Sequence, residues 1–234
     1  RDEGPLAKRV AETYGTRHTE RVVAGTSFHA ARDDLMAAMD QPTIDGVNIY
    51  FVAREAAAAG LKVALSGLGG DELFAGYNTF RDVPLLVDGI GWFPGVDLLG
   101  RGFRALAGPL LAELASPKLA SLFEYATSYG SAYLLRRGLF LPWELPDILD
   151  PEFAAEGWKE LDPIVRLDAT AKPQPTGRGR VTALEMAWYM RNQLLRDADW
   201  AGMAHSLEIR VPLVDTALFR SVAAFGFDKQ AMAR

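Results

Sequence analysis

Two acids stand directly behind a run of glycines between Leu65 and Tyr77, in the order Leu-Ser-Gly-Leu-Gly-Gly-Asp-Glu-Leu-Phe-Ala-Gly-Tyr. Glycines leave amide N–H groups bare, so anionic oxygens of a ligand can approach the backbone closely. Asp71 and Glu72 suit the first turn of a helix, where acids complement the partial positive charge of the N-terminus. The same acids would repel a phosphate unless a divalent cation such as Mg²⁺ lay between them. The chemistry that fits is a nucleotide-phosphate and metal site; the plainer alternative is an ordinary strand-to-helix turn of an α/β protein. Three other glycine motifs fail. A P-loop needs Gly-Lys-Ser/Thr where Asp71 and Glu72 stand, and a dinucleotide fingerprint needs glycine in place of Glu72. A nucleophile elbow on Ser66 needs glycines where Ala64 and Leu68 stand.

The elements around the turn follow from pattern. Leu61 to Leu65 is a short apolar run that suits a buried strand, and Asp71-Glu-Leu-Phe opens a helix behind the turn. Residues 1–15 have a helical rhythm that stops at Tyr14-Gly15. Arg17 to Val23 alternates loosely and predicts a short strand. Phe28 to Met39 predicts a helix that ends before Pro42, and Val47 to Ala59 a helix closed by Gly60. Beyond Arg81 the pattern predicts helix fragments punctuated by Pro84, Gly89, Gly91, Pro94 and Gly95. Ser116 and Pro117 have N-cap and N1 character for a helix towards Tyr129. Ala171 to Arg180 is the clearest loop, and Thr182 with Glu185 has capping-box spacing. Val181, Leu184, Trp188 and Leu195 then share one helical face. Tryptophans and phenylalanines read as core, and Tyr77 as packing for the helix that carries Asp71.

Composition excludes several classes. The 234 residues are 49% apolar and 24% charged, the balance of a globular protein with a substantial core. A net charge of −5 without a basic cluster argues against nucleic acid as a partner. The absence of cysteine removes disulfides and thiolate zinc sites and suits a cytoplasmic location. No apolar stretch reaches the roughly 18 residues of a membrane span, and no signal peptide is evident.

Three stretches, taken together, resemble one family. Ser66 to Tyr77 is similar to the second nucleotide-site motif of asparagine synthetases and their amidotransferase relatives, Ser-Gly-x-Gly-x-Asp-Glu followed by an aromatic and Gly-Tyr. Asp197-Ala-Asp-Trp-Ala-Gly-Met-Ala-His-Ser-Leu-Glu-Ile-Arg-Val-Pro-Leu-Val-Asp215 looks like a further motif of that family. Asp40-Gln-Pro-Thr-Ile-Asp45 matches its Asp-x-Pro segment. The likeness covers most of the chain and is weak between residues 85 and 170. It implies an α/β, adenine nucleotide alpha-hydrolase-like fold of the PP-loop ATP pyrophosphatase type, helix-rich with part of a parallel sheet. It also implies a reaction in which ATP adenylates a carboxylate, pyrophosphate leaves, and ammonia attacks the acyl-adenylate to give an amide.

On the resemblance, Asp71 and Glu72 are catalytic, with Asp71 holding Mg²⁺, and Ser66, Gly67, Gly69 and Gly70 contact ATP. Glu208 and Arg210 either position the charged ends of the substrate or pair with each other. The implied substrate is a small carboxylic acid, aspartate in asparagine synthetases themselves. Ammonia would come from glutamine through a glutaminase domain of the parent chain, and a homodimer is a further expected partnership. His205 is either an acid–base group or a hydrogen-bonded structural residue. His18 and His29 have no partner at ligand spacing, and Asp40 and Asp45 shape a loop around Pro42.

Departures from the family pattern qualify the expectation. The earlier pyrophosphate loop, Ser-Gly-Gly-x-Asp-Ser, does not occur in these residues, and residues 1–24 look like the helix and strand that follow it. The chain also stops before the family's basic segment and lacks the leading cysteine of the glutaminase domain. Residues 1–234 are therefore expected to be a fragment of a single synthetase domain that binds ATP–Mg²⁺ weakly or not at all by itself. At Leu68 asparagine synthetases carry an acid and β-lactam-forming relatives a tyrosine, whereas leucine transfers no proton. A β-lactam or peptide-cyclising synthetase of natural-product biosynthesis, and a non-catalytic module that keeps the fold, stay open as alternatives.

Overall fold

The computed structural model describes residues 4–43, 45–114 and 117–223. The first helices and strand are α1 (Gly4–Tyr14), α2 (Gly25–Ala38), α3 (Gly46–Ala58) and β1 (Val63–Leu65). There follow α4 (Gly70–Phe74), α5 (Thr79–Gly89), α6 (Val96–Leu114), α7 (Pro117–Ala120) and α8 (Tyr129–Arg137). Next come α9 (Pro151–Leu161), α10 (Pro163–Ala171) and α11 (Gly177–Leu184). A π-helical stretch (Glu185–Leu194) then leads into α12 (Leu195–Met203), β2 (Glu208–Arg210) and α13 (Thr216–Ala223).

Two compact units divide the chain, one made of the residues up to Leu65 with Arg196–Arg210, the other of Ser66–Leu195 and the stretch from Val211 onward. In the first, β1 and β2 pair in parallel with Val63 opposite Glu208, Ala64 opposite Ile209 and Leu65 opposite Arg210. Ala31 and Leu35 of α2, Tyr50 and Phe51 of α3, and Trp200 and Ala201 of α12 form its core. Gly60 closes α3 as expected: at φ +86° it lets its own N–H reach Ala57 O and the Leu61 N–H reach Ala56 O, the paired bonds of a Schellman cap. In the second unit, Val83, Tyr129, Ala132, Tyr133, Leu167, Ala171, Val181 and Leu184 form the main core.

Several sequence expectations need correction. Arg17 to Val23 is not a strand; Thr16 to Ala24 is exposed and without regular structure, because no described strand offers it a ladder. Helix α5 runs through Pro84 instead of breaking there, since its neighbour Val83 is completely buried in the core and that packing outweighs one missing N–H. Ser116 lies outside the described residues, and α7 ends at Ala120, well short of Tyr129. A separate cap, Ser128, starts α8 by exchanging hydrogen bonds with Ser131.

The loop expected over residues 171–180 is shorter, because α10 continues to Ala171 and α11 begins at Gly177. Thr176 caps α11 by accepting from the Gly179 N–H at 3.0 Å, so the Thr182 and Glu185 spacing is not a helix start. Val181 and Leu184 are buried as predicted, but the wider π-helical turns bring Leu194, not Leu195, to the buried side. Not every large aromatic residue is core: Trp92 and Phe93 are exposed and stack on each other at 4.1 Å.

Candidate active site

Where β1 ends, the chain turns at Ser66, whose hydroxyl accepts from the Leu68 N–H at 3.3 Å. The Gly67 carbonyl then accepts from the Gly70 N–H at 3.1 Å. Gly69 adopts φ +91°, and a side chain there would also lie 2.7 Å from Val214 Cγ2. Backbone conformation and packing thus both demand glycine at that position. Gly67 differs, for a Cβ built on it meets nothing within 4 Å. Its bareness serves no packing and leaves the backbone open to a ligand.

The helix behind the turn is a single turn, α4, so the expected dipole is short. Asp71 is exposed at its start. A Cβ on Gly76 would sit 2.0 Å from Asp71 Oδ1, so the last glycine of the motif leaves room for this carboxylate. Ala75 leaves the helix in the left-handed conformation at φ +61°, and the Gly76 N–H closes on Asp71 O at 3.0 Å.

Glu72 points the other way and is buried, 1% exposed. The Tyr77 hydroxyl donates to Glu72 Oε1 at 3.1 Å, and Oε2 has no protein partner. Burial is the main reason that the Glu72 carboxyl sits above its ordinary pKa, with Glu185 and Asp71 adding to the effect. Burial likewise pushes the Tyr77 phenol up, with Glu72 adding. Tyr77 therefore packs the Asp71 helix, as the sequence suggested, and does so through a specific hydrogen bond.

A second set of charges adjoins this pair and was not legible as a site in the sequence. Glu185, fully buried, accepts from Tyr133 at 3.0 Å, from Thr79, and from Arg137 Nε at 3.1–3.2 Å. The Arg137 guanidinium lies over the Tyr77 ring at 4.3 Å and over the Tyr189 ring at 3.7 Å. Burial alone would lower the Arg137 pKa, but the Glu185 carboxylate overrides it and holds the pKa above the usual value.

In the first unit the other two motif segments meet. Asp197, fully buried, accepts from Thr43, from Arg196 at 3.0 Å and from Trp200 Nε1 at 3.0 Å. Arg196 also donates to Gln41 Oε1 at 2.6 Å and to Pro42 O at 3.1 Å, and lies 3.9 Å from Asp40. The Asp-x-Pro loop is thus fastened to α12. Glu208 and Arg210 form an exposed ion pair at 2.8 Å, each holding the other in its charged form. His205 sits edge-on to Tyr50 at 4.4 Å with Nε2 buried and unpartnered. Burial, then the charge of Arg54, keeps its pKa below the ordinary value. No cluster of three or more acidic, histidine or cysteine side chains suited to a metal occurs among the described residues.

A helix-rich α/β chain in which a parallel strand runs into a bare glycine turn and an acidic helix start is of the adenine nucleotide alpha-hydrolase-like, PP-loop type. The family model described as Asparagine synthase matches residues 1–230, and the chain belongs to that family. A Mycobacterium bovis protein provisionally named asparagine synthetase (glutamine-hydrolyzing) is 33% identical over 228 residues, 92% of this chain and 32% of the relative. A Mycobacterium tuberculosis protein of the same name matches equally. Asparagine synthetase (glutamine-hydrolyzing) 1 of Bacillus subtilis is 26% identical over 221 residues, 93% of this chain and 33% of the relative. The chain therefore spans about a third of the length of the curated relatives it matches. No solved structure gives a significant match.

Proposed function

We propose that the chain is part of an ATP-dependent, amide-forming enzyme that adenylates a small carboxylic acid and transfers ammonia to it, with aspartate as the substrate and asparagine as the product. The carrying observation is the turn itself: Gly67 has open space above it and Asp71 stands exposed one turn further on. The amides of Gly67 and Gly69, which alternate with the Leu68 and Gly70 amides bonded within the turn, would receive phosphate oxygens as pyrophosphate departs, placing donors where negative charge develops. A single exposed carboxylate fits Mg²⁺, which is held by one or two carboxylates together with substrate phosphates. Asp71 would hold that ion, which neutralises phosphate charge when bound. Glu72 supports the turn from beneath through its bond to Tyr77. Glu208 and Arg210 are the candidates for the charged ends of the substrate, and parting an exposed ion pair to engage them costs little.

The parent protein would add the glutaminase domain that supplies ammonia, and this chain would be one part of the synthetase domain. The thinness of the described sheet supports that reading: each strand has three residues, and in β1 Val63 and Leu65 are exposed where the apolar run predicted a buried strand. Leu68, half-buried and without a titratable group, favours a second reading in which a relative of the same chemistry closes a lactam or cyclises a peptide.

The test is ATP–pyrophosphate exchange by the intact parent with aspartate. Asp71→Asn is expected to abolish exchange while the melting temperature stays within about 2 °C, since an exposed carboxylate contributes little to folding. Unchanged exchange would remove Asp71 from the metal site. Exchange with a β-amino or peptidyl acid but not with aspartate would move the enzyme to the second reading.

A further inference from the structure

Beneath the glycine turn lies a buried array that the adenylation reading does not use. Arg137 comes from α8, Glu185 from the π-helical stretch, Thr79 from the start of α5 and Tyr133 from α8. Glu185 is 0% exposed, Tyr133 3% and Thr79 5%. Burying so many polar groups together is unfavourable unless every partner is fixed, and a fixed array is a rigid one.

The array reaches the turn by two routes. Thr79 donates to Glu185, which anchors the chain two residues past Tyr77. The Arg137 guanidinium fills the corner between the Tyr77 and Tyr189 rings, which stand at 81° to each other with centroids 5.8 Å apart. A planar cation held by Glu185 packs on the face of the Tyr77 ring, and with the ring so placed its hydroxyl meets Glu72 Oε1 at 3.1 Å. Glu72 and Asp71 are consecutive residues of a helix one turn long, so fixing one side chain inward sets the direction of the other outward. The short helix has no length of its own to hold that direction.

We infer that Arg137 and Tyr77 are positioning residues for the Ser66–Asp71 turn, acting through Glu72. The functional consequence rests on the ATP reading of that turn, whereas the mechanical part does not. Tyr77→Phe removes the hydroxyl and keeps the ring against Arg137. Arg137→Lys keeps a charge near Glu185 and loses the planar contact with both rings.

Amide hydrogen exchange in the intact parent reads the mechanical part. Tyr77→Phe is expected to speed exchange across Gly67–Gly76 about fivefold, the factor of one lost hydrogen bond, with the amides of α8 unchanged. Arg137→Lys is expected to give the same local response, without rescue. No change at Gly67–Gly76, or an equal rise throughout α8, overturns the assignment. Pyrophosphate exchange reads the rest: Tyr77→Phe is expected to lower kcat several-fold with KM for ATP nearly constant. A parent that responds locally in hydrogen exchange but shows no pyrophosphate exchange even as wild type retains the positioning role and loses the ATP reading.

Discussion

A methyl group at position 76 would lie 2.0 Å from Asp71 Oδ1, so Gly76 lets the carboxylate five residues earlier keep its present direction. Tyr77 is aromatic and hydroxylated for the sake of Glu72. The two ends of the Asp-Glu-Leu-Phe-Ala-Gly-Tyr run thereby divide one acid outward and one inward, which composition could not reveal because adjacent acids look alike in a sequence. The outward acid was legible as chemistry; the inward one reads in the sequence equally well as a surface residue, and its burial depends on partners far along the chain. His205 is a further residue set by tertiary contact. Its pKa is depressed, so it is neutral in folded and unfolded chains above about pH 6.5 and contributes no pH dependence there. As pH falls below that value the unfolded chain takes up a proton that the folded one resists, and stability is lost until the folded pKa is passed. Thermal melting between pH 7.5 and 5 should show this fall, and His205→Gln should flatten it. A slope identical in the variant would assign the pH dependence to other groups.

Periodicity located α2 and α3 because each buries several residues against neighbours that tolerate a regular 3.6-residue repeat, and it located α1 although that helix buries Ala11 alone. It failed where the backbone leaves that repeat. The π-helical stretch shifts every side chain after Glu185, and nothing in residue types announces a change from four-residue to five-residue bonding. It failed again at Arg17 to Val23, where alternation exists but a ladder partner does not. Between the loop that precedes α3 and helix α12 the connection is polar, and its strength is testable. Asp197 serves three donors from the 40–46 loop and α12 at once, and Gly46 is bare because a Cβ would come within 2.6 Å of Trp200. Asp197→Ala would take their acceptor from the Trp200 indole and the Thr43 hydroxyl, and would leave Arg196 only Gln41 and Pro42 O. The expected loss is about 3 kcal/mol in urea unfolding, since each stranded donor retains its desolvation penalty. Asp197→Asn should lose less, because its amide oxygen still accepts. A loss under about 1 kcal/mol for alanine would mean that the loop is held by packing instead.

Parallel strands are normally covered on both faces and flanked by further strands, and three-residue strands in a pair are far below what makes a sheet stable. In the first unit β1 has one partner among the described residues, Leu61, Val63 and Leu65 are exposed, and a cavity of about 850 Å³ opens between the Arg17–Gly25 segment and helix α3. Such a frame matches a sheet that further strands complete, which agrees with a chain spanning about a third of its relatives. The make-up of the glycine turn bears on affinity. One glycine turn and one carboxylate offer a triphosphate a few amide donors and a single metal ligand. Affinity built on so few groups is expected to stay weaker than about 1 mM, or some 4 kcal/mol. Titration calorimetry of residues 1–234 with ATP and Mg²⁺ should accordingly give no measurable heat at micromolar concentrations, and the intact parent should bind well below that limit. Micromolar binding by residues 1–234, about 8 kcal/mol, would require phosphate donors beyond the Ser66–Asp71 turn within this chain and would overturn the expectation that these residues bind ATP–Mg²⁺ weakly or not at all.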